Sequence, residues 1–228
     1  MSEYTKSAAF FDLDRTLIRG SANFPLAWAA FKAGHVPKRQ LLHDAINAVT
    51  FLVGGASDER SARLRERILL AVAGVPVTDL IALGDTFIPR LAASVMPEAR
   101  DELDRQRAAG RDRIIVSASP IEIVDAIAQT IGLEGAVGTR GEIRDGRYTG
   151  KLTGEFCYGP GKATAVRQLA AERGYDLATS VAYSDSISDI PFLETVGNAV
   201  AINPDKALRV LARERGWQVI EVGHKAKR

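Results

Sequence analysis

Apolar runs of strand length alternate with longer amphipathic segments along most of the chain. Residues 8–11 form a continuous apolar run that ends at Asp12, which is typical of a buried parallel strand. Later β-branched runs are each followed by a segment with helical spacing, so a helix is expected between successive strands. Such alternation predicts right-handed βαβ units. The predicted fold class is therefore α/β, with a Rossmann-like parallel sheet that carries helices on both faces.

The boundaries of these elements are predicted from turn signals and changes of period. Strands are predicted over 8–11, 113–117, 180–183, 199–202 and 217–222. Helices are predicted over 97–109, 120–131, 162–173, 188–195 and 205–215. Asp145 and Gly146 lie at the centre of residues 136–153 and form a tight-turn signal, which predicts a small β-hairpin there.

Residues 24–91 differ from the rest of the chain because their helical segments follow one another with no convincing strand between them. The predicted helices in this block are 24–33, 38–53, 57–73 and 78–91. Glycine turn signals at Gly34, at Gly54 and Gly55, and at Gly74 separate them. The sequence therefore predicts a helical insertion within the α/β pattern.

Length, charge and cysteine content narrow the class of protein. A chain of 228 residues suits a core domain with a sizeable insertion. Thirty Lys and Arg against 28 Asp and Glu give a net charge of +2, too small to indicate nucleic acid as the main partner. The N-terminus lacks a signal-peptide cleavage site and the apolar run 45–56 is too short to span a bilayer, so we expect a cytoplasmic protein with no membrane span. The single cysteine, Cys157, excludes an internal disulfide.

Polar motifs stand where the predicted strands end or the predicted helices begin. Ligands of parallel sheets bind outside the carboxyl ends of the strands, so these motifs are the candidate site. They are Asp12-Leu13-Asp14-Arg15-Thr16, Ser117-Ala118-Ser119, Gly159-Pro160-Gly161-Lys162 and Ser184-Asp185-Ser186-Ile187-Ser188-Asp189. The third is not a nucleotide-binding loop, because Phe156 occupies the first glycine position of that motif and Ala163 follows the lysine.

Taken in order, the four motifs resemble the signature motifs of the haloacid dehalogenase-like hydrolase superfamily. The resemblance covers the whole chain, because the helical block is similar to the cap domain that this family inserts after its first motif. The segments VSAS and YSDSISD are similar to those of the branch that contains phosphoserine phosphatase. The resemblance implies a core domain of residues 1–18 and 95–228, with a helical cap domain of residues 19–94.

The function that the resemblance implies is hydrolysis of a small phosphorylated metabolite through an aspartyl-phosphate intermediate. Asp12 would be the nucleophile, which needs nearby positive charge because a phosphomonoester repels an anion. Asp14 would protonate the leaving alkoxide and then deprotonate the attacking water, a task that calls for a raised pKa. Ser117, the backbone N–H of Ala118 and Lys162 would bind the phosphoryl group.

The cofactor that the resemblance implies is Mg²⁺. This ion prefers oxygen ligands and keeps several waters, so two carboxylates and one backbone carbonyl suffice as protein ligands. Asp12 and Asp185 would supply the carboxylates and Asp14 the main-chain carbonyl. Asp189 is assigned to the immediate surroundings of the metal, where it would hold a metal-bound water or orient Lys162. Of the neighbouring residues, Thr16 is predicted to stabilise the turn, and Arg15 to be solvated or to reach the cap.

The substrate and the fate of the phosphoryl group stay open at this stage. Phosphoserine phosphatases are understood to bind the substrate's amino group through an acid shortly after the first motif, where this chain has Ser21. A lysophospholipid is an alternative if the apolar segments 24–31 and 49–53 line a pocket, although packing within the cap explains them as well. A phosphotransferase would use the same intermediate. A non-catalytic binder is disfavoured, because Asp12, Asp14 and Lys162 are all present. The sequence does not indicate the oligomeric state.

Overall fold

The computed structural model describes residues 6–22, 25, 26, 29 and 73–222. Residues 25, 26 and 29, within the predicted helix 24–33, are helical. The predicted helices 38–53 and 57–73 lie outside the described residues, apart from residue 73, and so does the apolar segment 49–53. Among the described residues, no helix combines the length and the apolar character that crossing a bilayer requires.

A six-stranded parallel sheet forms the centre of the fold, and a two-stranded antiparallel hairpin lies beside it. The strands are β1 Ala8–Asp12, β2 Asp112–Pro120, β3 Gly135–Thr139, β4 Gly141–Arg144, β5 Arg147–Leu152, β6 Val181–Ser184, β7 Asn198–Ile202 and β8 Gln218–Ile220. The order in the sheet is β3-β2-β1-β6-β7-β8, and β4 pairs with β5. The first strand of the chain is therefore central, with the strands that carry the second and fourth motifs on either side.

Helices cover both faces of the sheet, which confirms the predicted fold class. They are α1 Val77–Ala93, α2 Pro97–Ala108, α3 Ile121–Thr130, α4 Pro160–Arg173, α5 Ile190–Leu193 and α6 Lys206–Glu214, with a 3₁₀ turn at Ile187–Asp189. Because successive residues of a strand point to opposite faces, Phe10 and Phe11 enter different cores. Phe11 packs in the cluster that contains residues of α1, α2 and α3, and Phe10 in the cluster that contains residues of α4, α5 and α6.

The hairpin begins later than the sequence predicts. Residues 136–139, predicted to belong to it, form most of β3, which pairs in parallel with β2 through Ile115 opposite Ala136 and Val116 opposite Val137. Burial of Val137 against the core provides the physical reason, since an apolar strand is stabilised by joining the sheet. The predicted tight turn is present, with Asp145 and Gly146 both at positive φ, 50° and 73°.

The chain returns from the predicted cap along the free edge of the hairpin. Gly74 N donates to Tyr148 O at 2.8 Å, Tyr148 N donates to Val75 O at 3.0 Å, and Val77 N donates to Gly146 O at 3.0 Å. The helix that follows, α1, was included in the predicted cap domain of residues 19–94, and it packs on α3 in the same core cluster. The domain boundaries stay a prediction, because the rest of the cap lies outside the described residues.

Candidate active site

The carboxyl ends of three adjacent strands bring the predicted motifs together. Asp12 is the last residue of β1, which lies between β2 and β6, and Asp185 directly follows β6. On the other side, the pairing of β2 with β3 is irregular between Val116 and Pro120, where Ser117 and Ala118 lie. Such an irregularity re-aims the side chains of a strand at its end. Residues more than 170 positions apart in the sequence, Asp12 and Asp185, therefore share one end of the sheet.

Lys162 is the cation at the centre of this site. Its ammonium donates to Asp12 Oδ1 at 2.5 Å and to Asp189 Oδ2 at 2.7 Å, and the side chain is almost fully buried. Burial by itself lowers the pKa of Lys162, but the charges of Asp12 and Asp189 outweigh it, and the pKa lies above its usual value. Lys162 is therefore charged at any physiological pH.

A tight backbone approach sets Lys162 at the start of α4. Gly161 precedes the lysine, and a Cβ atom there would lie 2.0 Å from the carbonyl oxygen of Phe156. No other amino acid fits this position, because backbone cannot yield by that amount. Gly161 thus fixes the path of the third motif where it meets the sheet.

Asp12 has both carboxylate oxygens occupied. Oδ1 accepts from Lys162, and Oδ2 accepts from the Thr16 hydroxyl at 3.1 Å. Burial raises the pKa of Asp12 to about 6, against the opposing effect of Lys162. The carboxyl is therefore mostly ionised at neutral pH, as a nucleophile requires. Thr16, which the sequence predicts to stabilise the turn, is fully buried and also lies 3.5 Å from Asp185 Oδ1.

Asp185 is held differently. Its side chain is buried, yet Oδ2 lies 2.9 Å from Nε of Arg15, whose own side chain is 48% exposed. Burial, with a further contribution from the charge of Asp12, raises the pKa of Asp185 to about 8 in the metal-free protein. The ion pair of Arg15 was not predicted, because the sequence suggested a solvated side chain.

Asp189 contacts Lys162 rather than the other acids. Its Oδ2 accepts from the Lys162 ammonium and from the Ser184 hydroxyl, each at 2.7 Å, and its side chain is buried. Of the two predicted roles, these contacts are the ones that orienting Lys162 requires. Asp189 and Asp12 therefore hold the lysine from two sides.

Asp14 lies at the edge of the site, where the chain leaves for the predicted cap. Its Oδ2 accepts from the Ser21 hydroxyl at 2.7 Å and its Oδ1 from the backbone N–H of Ala22 at 2.8 Å. Burial raises the pKa of Asp14 although these hydrogen bonds oppose it. A raised pKa is what the predicted acid and base needs.

The second motif is shaped by contacts that the sequence did not suggest. Ser117 is buried, and its hydroxyl accepts from the backbone N–H of Ser119 at 3.2 Å. The Thr139 hydroxyl donates to Ala118 O at 2.7 Å and accepts from Cys157 N at 3.3 Å. Thr139 thereby joins the second motif to the loop before Lys162.

Burial raises the pKa of the Cys157 thiol to about 12, so it stays protonated.

Asp205 is a second residue that sequence reasoning missed. It caps α6, accepting from Leu208 N at 2.8 Å, and its other oxygen accepts from Ile187 N at 2.9 Å. In return, Asp205 N donates to Asp185 O at 2.7 Å. The capping signal was present in the sequence, but its reach to the loop of Asp185 depends on the packing of β7 beside β6.

The donor set at this end of the sheet fits a hard divalent cation. Asp12 and Asp185 are buried carboxylates that converge on one Thr16 hydroxyl, and the buried cation beside them, Lys162, is shared with the buried Asp189, so a further positive charge would offset the cost of burying these acids. Within the described ranges, no three His, Cys, Asp or Glu side chains group as a complete metal site. A cation that keeps several waters, as Mg²⁺ does, would need only a few protein oxygens of this kind.

Comparisons with a family model and with individual proteins point to the same family. The family described as haloacid dehalogenase-like hydrolase matches residues 9–194. A protein named probable phosphatase, from Mycobacterium tuberculosis, is 40% identical over 94% of this chain and 75% of its own length. A phosphoserine phosphatase of the same organism is 39% identical over 97% of this chain and 73% of its own length.

A solved structure is similar over nearly the whole chain. It is a protein of unknown function from Bordetella pertussis, 31% identical, with a TM-score of 0.82 over 95% of this chain and 98% of that one. The arrangement of sheet and helices described above is thus shared with an experimentally determined structure.

Proposed function

The chain belongs to the haloacid dehalogenase-like hydrolase family and is a phosphatase, and we propose that it hydrolyses small phosphomonoesters with Mg²⁺ through a phosphoryl group carried on Asp12. The observation that carries this proposal is the contact of Asp12 with Lys162 at 2.5 Å beside a second buried carboxylate, Asp185. A carboxylate next to a permanent cation can receive a phosphoryl group without being repelled by it.

Mg²⁺ would be held by Asp12, Asp185 and the main-chain carbonyl of Asp14. When bound, it supplies positive charge to the phosphoryl oxygens. Lys162 supplies a second positive charge, and Ser117 with the backbone N–H of Ala118 supplies hydrogen-bond donors. Asp189 keeps the ammonium of Lys162 in position.

The reaction takes place in two displacements. A carboxylate oxygen of Asp12 forms a bond to phosphorus while the bond from phosphorus to the ester oxygen breaks, and the leaving oxygen takes a proton from Asp14. In the second step, water transfers a proton to Asp14 and its oxygen attacks phosphorus. Inorganic phosphate leaves and the Asp12 carboxylate is restored.

Two substrate classes deserve direct comparison. A relative named phosphoserine phosphatase supports phosphoserine. At the position where such an enzyme is expected to carry an acid, however, this chain has Ser21, and its hydroxyl donates to Asp14. A lysophospholipid is the alternative, and a phosphotransferase acting on an alcohol would use the same Asp12 chemistry. A cytoplasmic location remains a prediction.

The proposal is tested by replacing Asp12 with asparagine. We expect Asp12→Asn to lower the hydrolysis of p-nitrophenyl phosphate by at least about a thousandfold, because the amide cannot attack phosphorus. Asp145→Asn is the matched control, since Asp145 is exposed in the hairpin turn and asparagine tolerates its positive φ. Retained activity in Asp12→Asn would disprove covalent catalysis.

Two further measurements separate the parts of the proposal. EDTA should abolish hydrolysis and Mg²⁺ should restore it, and activity indifferent to both would rule out the metal. A panel of phosphorylated metabolites that includes phosphoserine and lysophosphatidate, run with and without an acceptor alcohol, identifies the substrate class. Phosphate transferred to the alcohol in preference to water would favour the phosphotransferase.

A further inference from the structure

We propose that Arg15 is an exchangeable counter-ion that competes with the divalent cation for Asp185. This inference rests on the magnesium site proposed above and concerns how that site is loaded. Arg15 Nε lies 2.9 Å from Asp185 Oδ2, and Asp185 Oδ1 lies 3.5 Å from the Thr16 hydroxyl. Both oxygens of this carboxylate therefore contact side chains of the protein.

The backbone of Arg15 is held in an uncommon conformation. Arg15 has a φ of 61°, in the left-handed region that residues other than glycine rarely adopt. Its N–H donates to Gly20 O at 3.0 Å, which closes the turn that follows Asp14. Glycine would adopt this backbone conformation with less strain. The presence of arginine there, beside a candidate functional site, indicates a role for its side chain.

The exposure of Arg15 makes the ion pair reversible. The Arg15 side chain is 48% exposed, whereas that of Asp185 is only 5% exposed. Ion pairs with one partner in water are weak and lose much of their strength to solvent. The guanidinium can turn into water without losing solvation, and a divalent cation that takes its place would supply the positive charge that the buried Asp185 carboxylate needs.

The geometry favours competition over cooperation. A metal ion bound to Asp185 would lie close to a guanidinium that already touches the same carboxylate, and two cations at such separation repel each other. Removal of Arg15 therefore relieves this repulsion and leaves Asp185 without its present partner. Both effects strengthen metal binding at a pH at which Asp185 is ionised with or without Arg15, so binding is measured at such a pH.

The test measures Mg²⁺ binding directly, on the full chain without substrate, by isothermal titration calorimetry. We expect Arg15→Asn to lower the dissociation constant roughly threefold to fivefold, as is typical of losing a competing, partly exposed ion pair. Asparagine tolerates positive φ, so this variant should fold. Arg15→Gly removes the same guanidinium and the backbone strain, and should show the same tightening.

Arg19→Asn is the matched control. Arg19 is exposed, carries the same charge four positions away, and forms no ion pair with another of the described residues. Its variant should change the dissociation constant by less than about twofold. The proposal is overturned if Arg15→Asn binds Mg²⁺ no more tightly than Arg19→Asn, or more weakly than the unchanged protein, in which case Arg15 orients Asp185. Failure of the unchanged protein to bind Mg²⁺ would overturn the metal site itself.

Discussion

Asp12 and Asp185 are both buried carboxylates at the same end of the sheet, yet they are held in different ways. Asp12 is the last residue of the central strand, and the cation beside it, Lys162, is buried with it. Asp185 lies beyond the end of β6, and its cation, Arg15, is half exposed. Separation of Lys162 from Asp12 would leave two buried charges without a partner, whereas Arg15 would stay in contact with solvent if it left Asp185.

The difference divides the site into a fixed half and an adjustable half. The fixed half, formed by Asp12, Lys162 and Asp189, suits the proposed role of Asp12 as nucleophile, because the position of a nucleophile relative to phosphorus must not vary. The adjustable half, formed by Asp185 and Arg15, suits a metal that has to be bound from solution.

Lys162→Met should damage the fixed half most severely. It leaves Asp12 and Asp189 buried without their cation, which is expected to lower the free energy of unfolding by about 3–5 kcal/mol. It also removes the charge that we propose stabilises the transition state, so kcat should fall by at least about a hundredfold. Urea unfolding and steady-state kinetics measure the two effects. The comparison fails if the exposed control Lys206→Met is equally damaging.

Asp205→Ala should weaken metal binding in the adjustable half, although Asp205 contacts none of the proposed reacting groups. The loss of a helix cap should cost about 1 kcal/mol of unfolding free energy. Because Asp205 also holds the loop at Asp185 and Ile187, the concentration of Mg²⁺ that gives half-maximal activity should rise by about tenfold or more.

Asp176→Ala is the matched control for this loop. Asp176 is also half-buried, and it accepts from Ala178 N at 2.9 Å and from the Thr179 hydroxyl at 3.1 Å, but it lies at the other end of β6. Asp176→Ala should lower the free energy of unfolding about as much as Asp205→Ala does, but it should not change the Mg²⁺ concentration that gives half-maximal activity. Equal effects of the two variants on Mg²⁺ would show that Asp205 acts only as a cap.

The smallest effect concerns pH. The pKa of Asp185 lies near 8 and that of Asp12 near 6 in the metal-free protein, both above their usual values. The folded state therefore holds these protons more tightly than the unfolded chain, and metal-free stability should fall as pH rises from about 4 to 8. Bound Mg²⁺ requires ionised carboxylates.

Added Mg²⁺ should accordingly raise the melting temperature more at pH 8 than at pH 6. A difference of 1 kcal/mol corresponds to about 2–4 °C for a chain of this size. Thermal unfolding at the two pH values, with Mg²⁺ or with EDTA, measures it. A larger shift at pH 6 would contradict the assignment of Asp12 and Asp185 as ligands.

Much of the fold follows from local patterns in the sequence. The predicted strands and helices from residue 97 onward agree with the observed ones to within a few residues, because apolar runs and helical periods are properties of neighbouring residues. The strand β3 was not predicted. Its residues 135–139 are mostly small and carry a weak strand signal, and the strand forms by pairing with β2. Pairing between segments is decided by packing, which a local pattern does not contain.

The sequence by itself was enough to predict which residues would carry the chemistry, since each motif is continuous and the charge and ligand preference of a side chain follow from its residue type. The tertiary structure alone decided how those residues are arranged. The ion pair of Arg15 with Asp185 and the contact of Asp205 with Ile187 join residues distant in the chain. The pKa values of Asp12 and Asp185 depend on burial, and burial exists only once the sheet and its helices have closed around them.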